Sequence, residues 1–152
     1  MNIIPGTKKY AKQISILMTS DLNKFRQLFP AAMMTAFRDH AQENNILEEF
    51  NNSNLISFLA IGDMDLLMGF IVGYKEKNSA MIHYITAETV SLKKQLLAMF
   101  ITKCREEKID RAITDTFIFM ENNAFFRNEG FILFKKEKIE ANLEMLWYEK
   151  KV

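Results

Sequence analysis

Three short apolar runs, separated by turn signals and followed at once by a long amphipathic helix, constrain this chain more than any other feature. Leu55 to Ile61 is almost wholly apolar, as suits a strand covered on both faces. Gly62-Asp63-Met64-Asp65 reads as a hairpin turn and Leu66 to Lys75 as the next strand. Lys77, Asn78 and Ser79 turn the chain again, and Ala80 to Thr86 supplies a third strand, completing an antiparallel meander. Val90 to Lys108 then sets Leu96, Leu97, Phe100, Ile101 and Cys104 on one stripe at helical spacing. Arg111 to Phe119 follows as a strand. A strand–helix–strand crossover placed after an antiparallel meander implies a mixed sheet.

The flanks are read the same way. Ile14 to Met18 is expected as a short first strand, and Thr19, Ser20 and Asp21 offer capping oxygens for a helix over Leu22 to Phe29. Pro30 suits the first turn of a second helix, whose one face carries Met33, Ala36, Phe37, His40, Asn44 and Leu47. Glu121 to Glu129 reads as a short helix with Gly130 at its left-handed end. Phe131 to Lys135 and Leu143 to Glu149 are the last two strands. The expected fold class is α/β of the α+β mixed kind: a mostly antiparallel sheet of about seven strands flanked by about four helices.

At 152 residues with 49% apolar side chains, one domain with a sizeable core is expected. The net charge of +1 argues against a nucleic-acid partner. Cys104 is the single cysteine, so no internal disulfide forms; with two scattered histidines it gives no metal-ligand spacing. Its apolar helical position marks it as a buried small hydrophobe. The opening residues lack the apolar segment of a signal peptide, and the longest apolar run, Leu66 to Tyr74, is too short to cross a membrane. A soluble cytoplasmic protein with no membrane contact is expected, and the final strands offer an edge on which a homodimer could pair.

The segment Asn122-Asn123-Ala124-Phe125-Phe126, followed by Gly130-Phe131, together with the element order, resembles the GCN5-related N-acetyltransferase (GNAT) superfamily. The element order covers nearly the whole chain; the local motif covers about a dozen residues. The resemblance implies that the strands at Ala80–Thr86 and Arg111–Phe119 part at one end and admit the pantetheine arm of acetyl-coenzyme A. It places the diphosphate at the start of the Val90 helix, where unpaired N–H groups and the helix dipole favour an anion. The residues implied in cofactor binding are Ile85, Thr86, Ala87, Ser91, Lys93 and Lys94, with Asn122, Asn123 and Phe126 from the short helix.

This sequence departs from the family pattern twice. The phosphate loop usually reads Arg/Gln-x-x-Gly-x-Gly/Ala, and the matching positions here are Glu88, Ser91 and Lys93. The tyrosine that many members place four residues before the Gly of Gly-Phe is Phe126, which has no proton to give. The candidate general bases are His83 and Glu88, and Asp115 is a further carboxylate that could face the cleft. The acceptor, a small-molecule or peptide amine, is expected against Phe25, Phe29, Met33, Met34, Phe37, His40, Trp147 and Tyr148. The function implied is N-acyl transfer, most simply acetyl transfer from acetyl-coenzyme A to an amine. The alternative is a catalytically degenerate domain of the same fold that binds a ligand or partner, and the third reading is an unrelated α/β domain.

Overall fold

The computed structural model describes residues 1–140 and 142–152. Seven strands form one sheet in the order β1-β2-β3-β4-β5-β7-β6. They are β1 (Asn2–Pro5), β2 (Leu55–Ile61), β3 (Leu67–Glu76), β4 (Ser79–Ala87), β5 (Arg111–Phe117), β6 (Ile132–Glu140) and β7 (Leu143–Lys151). Only β4 and β5 pair in parallel, because the crossover helix lies between them. The expected mixed, mostly antiparallel sheet is therefore present.

The helices are α1 (Ala11–Lys24), α2 (Ala31–His40), α3 (Glu43–Glu49), α4 (Val90–Glu106) and α5 (Asn122–Asn128). On one face, α4 buries Leu92, Leu96, Leu97, Phe100, Ile101 and Cys104 against Ile56, Ile71 and Ile82 of the sheet, with Phe125 and Phe126 of α5 in the same core. On the other, α1 and α3 pack Tyr10, Ala11, Ile14 and Ile46 on Leu59, Ile61 and Phe70. A third cluster joins Phe29 and Met34 to Leu143, with Phe25, Phe37, Phe117 and Phe119 against it.

The first third of the chain corrects the sequence reading. Ile14 to Met18 is not a strand: it lies inside α1, because Ile14, Leu17 and Met18 recur at helical spacing and turn one side to the sheet. The first strand is instead Asn2–Pro5, an edge strand on which a proline costs no ladder bond. Most of Leu22 to Phe29 is the end of α1 and a turn, not a separate helix. The helix expected from Pro30 onward breaks at Gln42, whose backbone is extended, and Asn45 Nδ2 donates to the Asp39 carbonyl at 2.6 Å across the break. Five α-helices result among the described residues, where about four were expected. At the other end, Gly130 has φ +87° and lets the Phe131 N–H reach the Phe126 carbonyl at 2.9 Å, closing α5 as its position suggested.

Candidate functional site at the sheet fork

β4 and β5 begin side by side and then part. Their register runs from Ser79 opposite Arg111 to Ile82 opposite Thr114 and stops there. Beyond it β4 continues to Ala87 on β3 alone, and β5 to Phe117 on β7 alone. Thr114 Oγ1 donates to the Ile82 carbonyl at 3.3 Å and marks the crotch. At the same level β4 bulges: Val72 faces Tyr84 and Gly73 faces Ile82, leaving His83 without a partner on β3. Gly73 permits the bulge, since a Cβ there would stand 2.4 Å from the Met81 carbonyl oxygen and 2.8 Å from the Phe100 ring.

A cavity of about 650 Å³ opens from the fork. Ile85, Thr86 and Ala87 of β4, Thr114 to Phe117 of β5, Lys93 of α4, and Asn122 and Phe126 of α5 line one part of it. The other part reaches across the sheet to Phe25, Phe29, Met33, Phe37 and His40. A smaller cleft of about 470 Å³ near β1 lies away from the fork, and its two charged side chains, Lys103 and Glu106, pair at 3.8 Å.

The start of α4 carries unspent donors, and its Lys93 lines the cavity. Thr89 caps the helix, its Oγ1 accepting the Leu92 N–H at 3.1 Å. The Val90 and Ser91 N–H groups have no partner among the described residues. Lys93 is only 7% exposed. Its Nζ donates to Asn122 Oδ1 at 2.9 Å, lies 3.6 Å from Glu121 Oε1, and stands 5.3 Å from the centre of the Phe125 ring. Lys94 is exposed and pairs with Glu129 at 3.4 Å. On β5, Thr116 is 7% exposed and its Oγ1 is buried with no hydrogen-bond partner.

The open side of the fork carries the titratable groups. His83 meets the Tyr74 ring edge-on at 4.9 Å. Partial desolvation, with the His40 charge nearby, lowers its pKa below the ordinary histidine value, so the imidazole is neutral at neutral pH. Burial pushes the Asp115 carboxyl up, and the charge of Glu137 adds to this. Burial also raises Glu49, opposed by His40, whose Nε2 lies 3.3 Å from Glu49 Oε1, and by the Tyr74 hydroxyl. Tyr84 donates to Asp21 Oδ2 at 3.0 Å, and burial raises its pKa. Cys104 lies in the core, where burial pushes its thiol up to about 11.

The residues singled out in the sequence thus divide. His83, Ile85, Thr86, Ala87, Lys93, Asn122 and Phe126 line the cavity; Glu88, Ser91, Lys94 and Asn123 do not. Asn123 is committed to the β5–α5 turn: its Nδ2 donates to the carbonyls of Phe117, Ile118 and Met120, and its Oδ1 accepts from Tyr148 at 3.0 Å. On the acceptor side Phe25, Phe29, Met33, Phe37 and His40 line the cavity. Tyr148 does not, being fully buried on the α4–α5 face, and Met34 and Trp147 also stand outside the lining. Thr116 escaped the sequence reading, since only the parting of the strands leaves its hydroxyl without a partner. Among the described residues, no group of three or more potential ligands could hold a metal, and no helix is long and apolar enough to cross a membrane.

No family model matches the chain, and no curated protein does. Solved structures do match. A GNAT-family acetyltransferase from Staphylococcus aureus Mu50 is 21% identical, with 99% of this chain and 98% of that one covered at a TM-score of 0.77. The PaiA N-acetyltransferase from Thermoplasma acidophilum, in complex with coenzyme A, is 16% identical over 100% of both chains at 0.79. The aminoglycoside 6'-N-acetyltransferase from Enterococcus faecium is 15% identical over 99% and 97% at 0.73. The chain therefore has the GCN5-related N-acetyltransferase fold.

Proposed function

We propose that this chain is an N-acyltransferase moving an acetyl group from acetyl-coenzyme A to an amine. The observation that carries this reading is the fork between β4 and β5, whose cavity is lined in part by Lys93 of α4. Three features support a fit to the cofactor. The β4 edge from His83 to Ala87 has no β5 partner and can pair with an extended amide-bearing arm. The orphaned Thr116 hydroxyl lines the same space and lacks a partner. The free Val90 and Ser91 N–H groups and Lys93, which lines the cavity, all belong to the first turn of α4, a setting that suits phosphate groups. On this reading Ile85, Thr86 and Ala87 hold the arm and Phe126 gives it an apolar floor. Ser91 and Lys93 meet the phosphates, and Lys94 adds charge from outside. Asn122 receives or releases Lys93, and Asn123 braces α5 from behind.

The bound thioester supplies the activated acyl group. The chain supplies position, an amide dipole at the His83 bulge to polarise the carbonyl, and a base. A neutral His83 imidazole on the acceptor side can take one proton of the incoming ammonium; the amine nitrogen then bonds to the carbonyl carbon as the C–S bond breaks, and the departing thiolate takes up the second proton through solvent. Glu88 is exposed and has no place in the cavity, so the base role goes to His83. The acceptor is a small-molecule or peptide amine. The neighbours named for aminoglycoside and PaiA acetyl transfer lend support to amine acceptors in general. A cytoplasmic setting, with no nucleic acid or membrane partner, accords with the near-neutral charge. A homodimer would form through the open edge of β6, which exposes Ile132 and Phe134.

Lys93 favours a second reading, in which the fold binds a ligand or partner without catalysis. Its side chain stands where the family pattern has a glycine or alanine, and it ties α4 to α5. Calorimetric titration with acetyl-coenzyme A, combined with thiol release across an amine panel, separates the two. Binding with release supports transfer; binding without release supports the second reading; no binding at millimolar cofactor defeats the first.

A further inference from the structure

We infer that Asp115 is the anchor for the acceptor's ammonium group, and that the acceptor is a monoamine with an apolar, aromatic or branched body. This rests on the acyl-transfer reading of the cavity for its meaning, but not for its geometry.

Four carboxylates line the cavity: Asp21, Glu49, Asp115 and Glu121. Three have a basic side chain beside them. Asp21 pairs with Lys24 at 3.1 Å, Glu49 with His40 at 3.3 Å and Glu121 with Lys93 at 3.6 Å. Asp115 has none among the described residues. Lys135, which stands opposite Trp147 as Asp115 does from the other side, is engaged with Glu137 at 3.8 Å and lies over the Trp147 ring at 5.3 Å. A half-buried carboxylate without a counter-ion is an unfavourable arrangement that a bound cation relieves.

Its position is also specific. Thr114 is the last β5 residue paired with β4, so Asp115 is the first beyond the fork, as His83 is the first beyond Ile82. An ammonium held by Asp115 therefore rests at the crotch, with the imidazole on the opposite strand. The wall on this side is aromatic. Phe29 meets Phe117 at 4.8 Å and Phe37 at 5.1 Å between ring centres, and Phe25 and Met33 extend it. Such a wall accepts an apolar body and attracts one ammonium through the ring faces. A polycation would bring further charges to carboxylates already paired, and would lose hydration without return.

The test is calorimetric titration of 2-phenylethylamine into the full chain, alone and with desulfo-coenzyme A present. Parallel titrations use 2-phenylethanol and spermidine. The expected result is binding in at least one condition, at least tenfold tighter for 2-phenylethylamine than for spermidine. Asp115→Asn should weaken the amine at least tenfold and leave 2-phenylethanol unchanged. Asp115→Ser is run alongside, so a folding defect in one variant does not decide the outcome. Equal amine affinity in wild type and both variants, tighter binding of spermidine, or no amine binding in either condition overturns the inference. A separate acetyl-coenzyme A titration distinguishes the two readings. If that cofactor fails to bind while the amine binds through Asp115, the transferase reading falls and the ammonium site stands. If the cofactor binds and the amine ignores Asp115, the reverse holds.

Discussion

Lys93 Nζ donates to Asn122 Oδ1 at 2.9 Å, joining the first turn of α4 to the first residue of α5 across the slot that opens from the sheet fork. A lysine 7% exposed is held there only because it is fully occupied: by an amide oxygen, by the Glu121 carboxylate and by the Phe125 ring. A phosphate arriving at the α4 terminus would exchange for Asn122 as its partner. Lys93→Ala is therefore expected to weaken acetyl-coenzyme A by roughly tenfold or more, the value of one charge-assisted hydrogen bond. Lys94→Ala, which removes an exposed charge, should cost less than about threefold. Calorimetric titration of both variants checks this, and equal losses would refute the asymmetry.

Thr116 carries the opposite signature, an orphaned hydroxyl in a buried place. Replacing it by the isosteric valine removes an unsatisfied group, so Thr116→Val should be neutral or stabilise the free protein by up to about 1 kcal/mol. The same change should weaken the cofactor several-fold if the arm supplies the missing partner. Thermal unfolding and titration of the one variant, read together, test both halves.

Asp115 links stability to the site. Its folded pKa is raised, so protonation is favoured by folding. The stability it contributes is complete below the unfolded aspartate pKa and is lost as pH rises through the raised folded value. Glu137 on β6 adds to the effect, and His83 across the fork is neutral near pH 7. Asp115→Asn should then stabilise the free protein at neutral pH by roughly 0.5–2 kcal/mol, as removal of a functional but strained charge does. The gain should disappear near pH 3, where the wild-type carboxyl is protonated. Melting temperatures of both proteins from about pH 3 to about pH 7, a range that spans the ordinary aspartate pKa, give the answer directly.

Gly73 holds the β4 bulge in place. An alanine Cβ would meet the Met81 carbonyl oxygen at 2.4 Å and the Phe100 ring at 2.8 Å, and a backbone oxygen cannot swing aside. Gly73→Ala should cost roughly 1–3 kcal/mol by overpacking. In whatever fraction folds, it should also displace His83. Denaturant unfolding together with the proton shifts of the His83 ring follows both effects.

Much of this arrangement could be read from the chain alone. The meander, the α4 stripe and the Gly130 stop are local signals, set by burial period and backbone freedom, and they survive into the structure. Of the residues that the sequence assigns to one cleft, His83, Ile85, Thr86, Ala87, Lys93, Asn122 and Phe126 line one cavity, while Glu88, Ser91, Lys94 and Asn123 lie outside its lining. The misreadings fall where the local signal was ambiguous. Ile14 to Met18 has β-branched residues in a short run, and the helical spacing of Ile14, Leu17 and Met18 becomes decisive only with their contact with the sheet. Tyr148 and Met34 looked like acceptor contacts because side-chain type does not say which face of a sheet or helix a residue takes. The unpaired state of Asp115 and Thr116 depends on which cations and carbonyls fail to reach them, a property of the whole fold that no spacing records.

On the proposed function, the fork between β4 and β5 is an open slot that an acyl-coenzyme A arm completes. Amide hydrogen exchange over His83–Ala87 and Asp115–Phe117, with and without saturating acetyl-coenzyme A, tests it most directly. Fast exchange is expected at the unpaired edge in the free protein, with slowing there when the cofactor is added. Amides already protected along both segments, or unchanged at saturating cofactor, would contradict it.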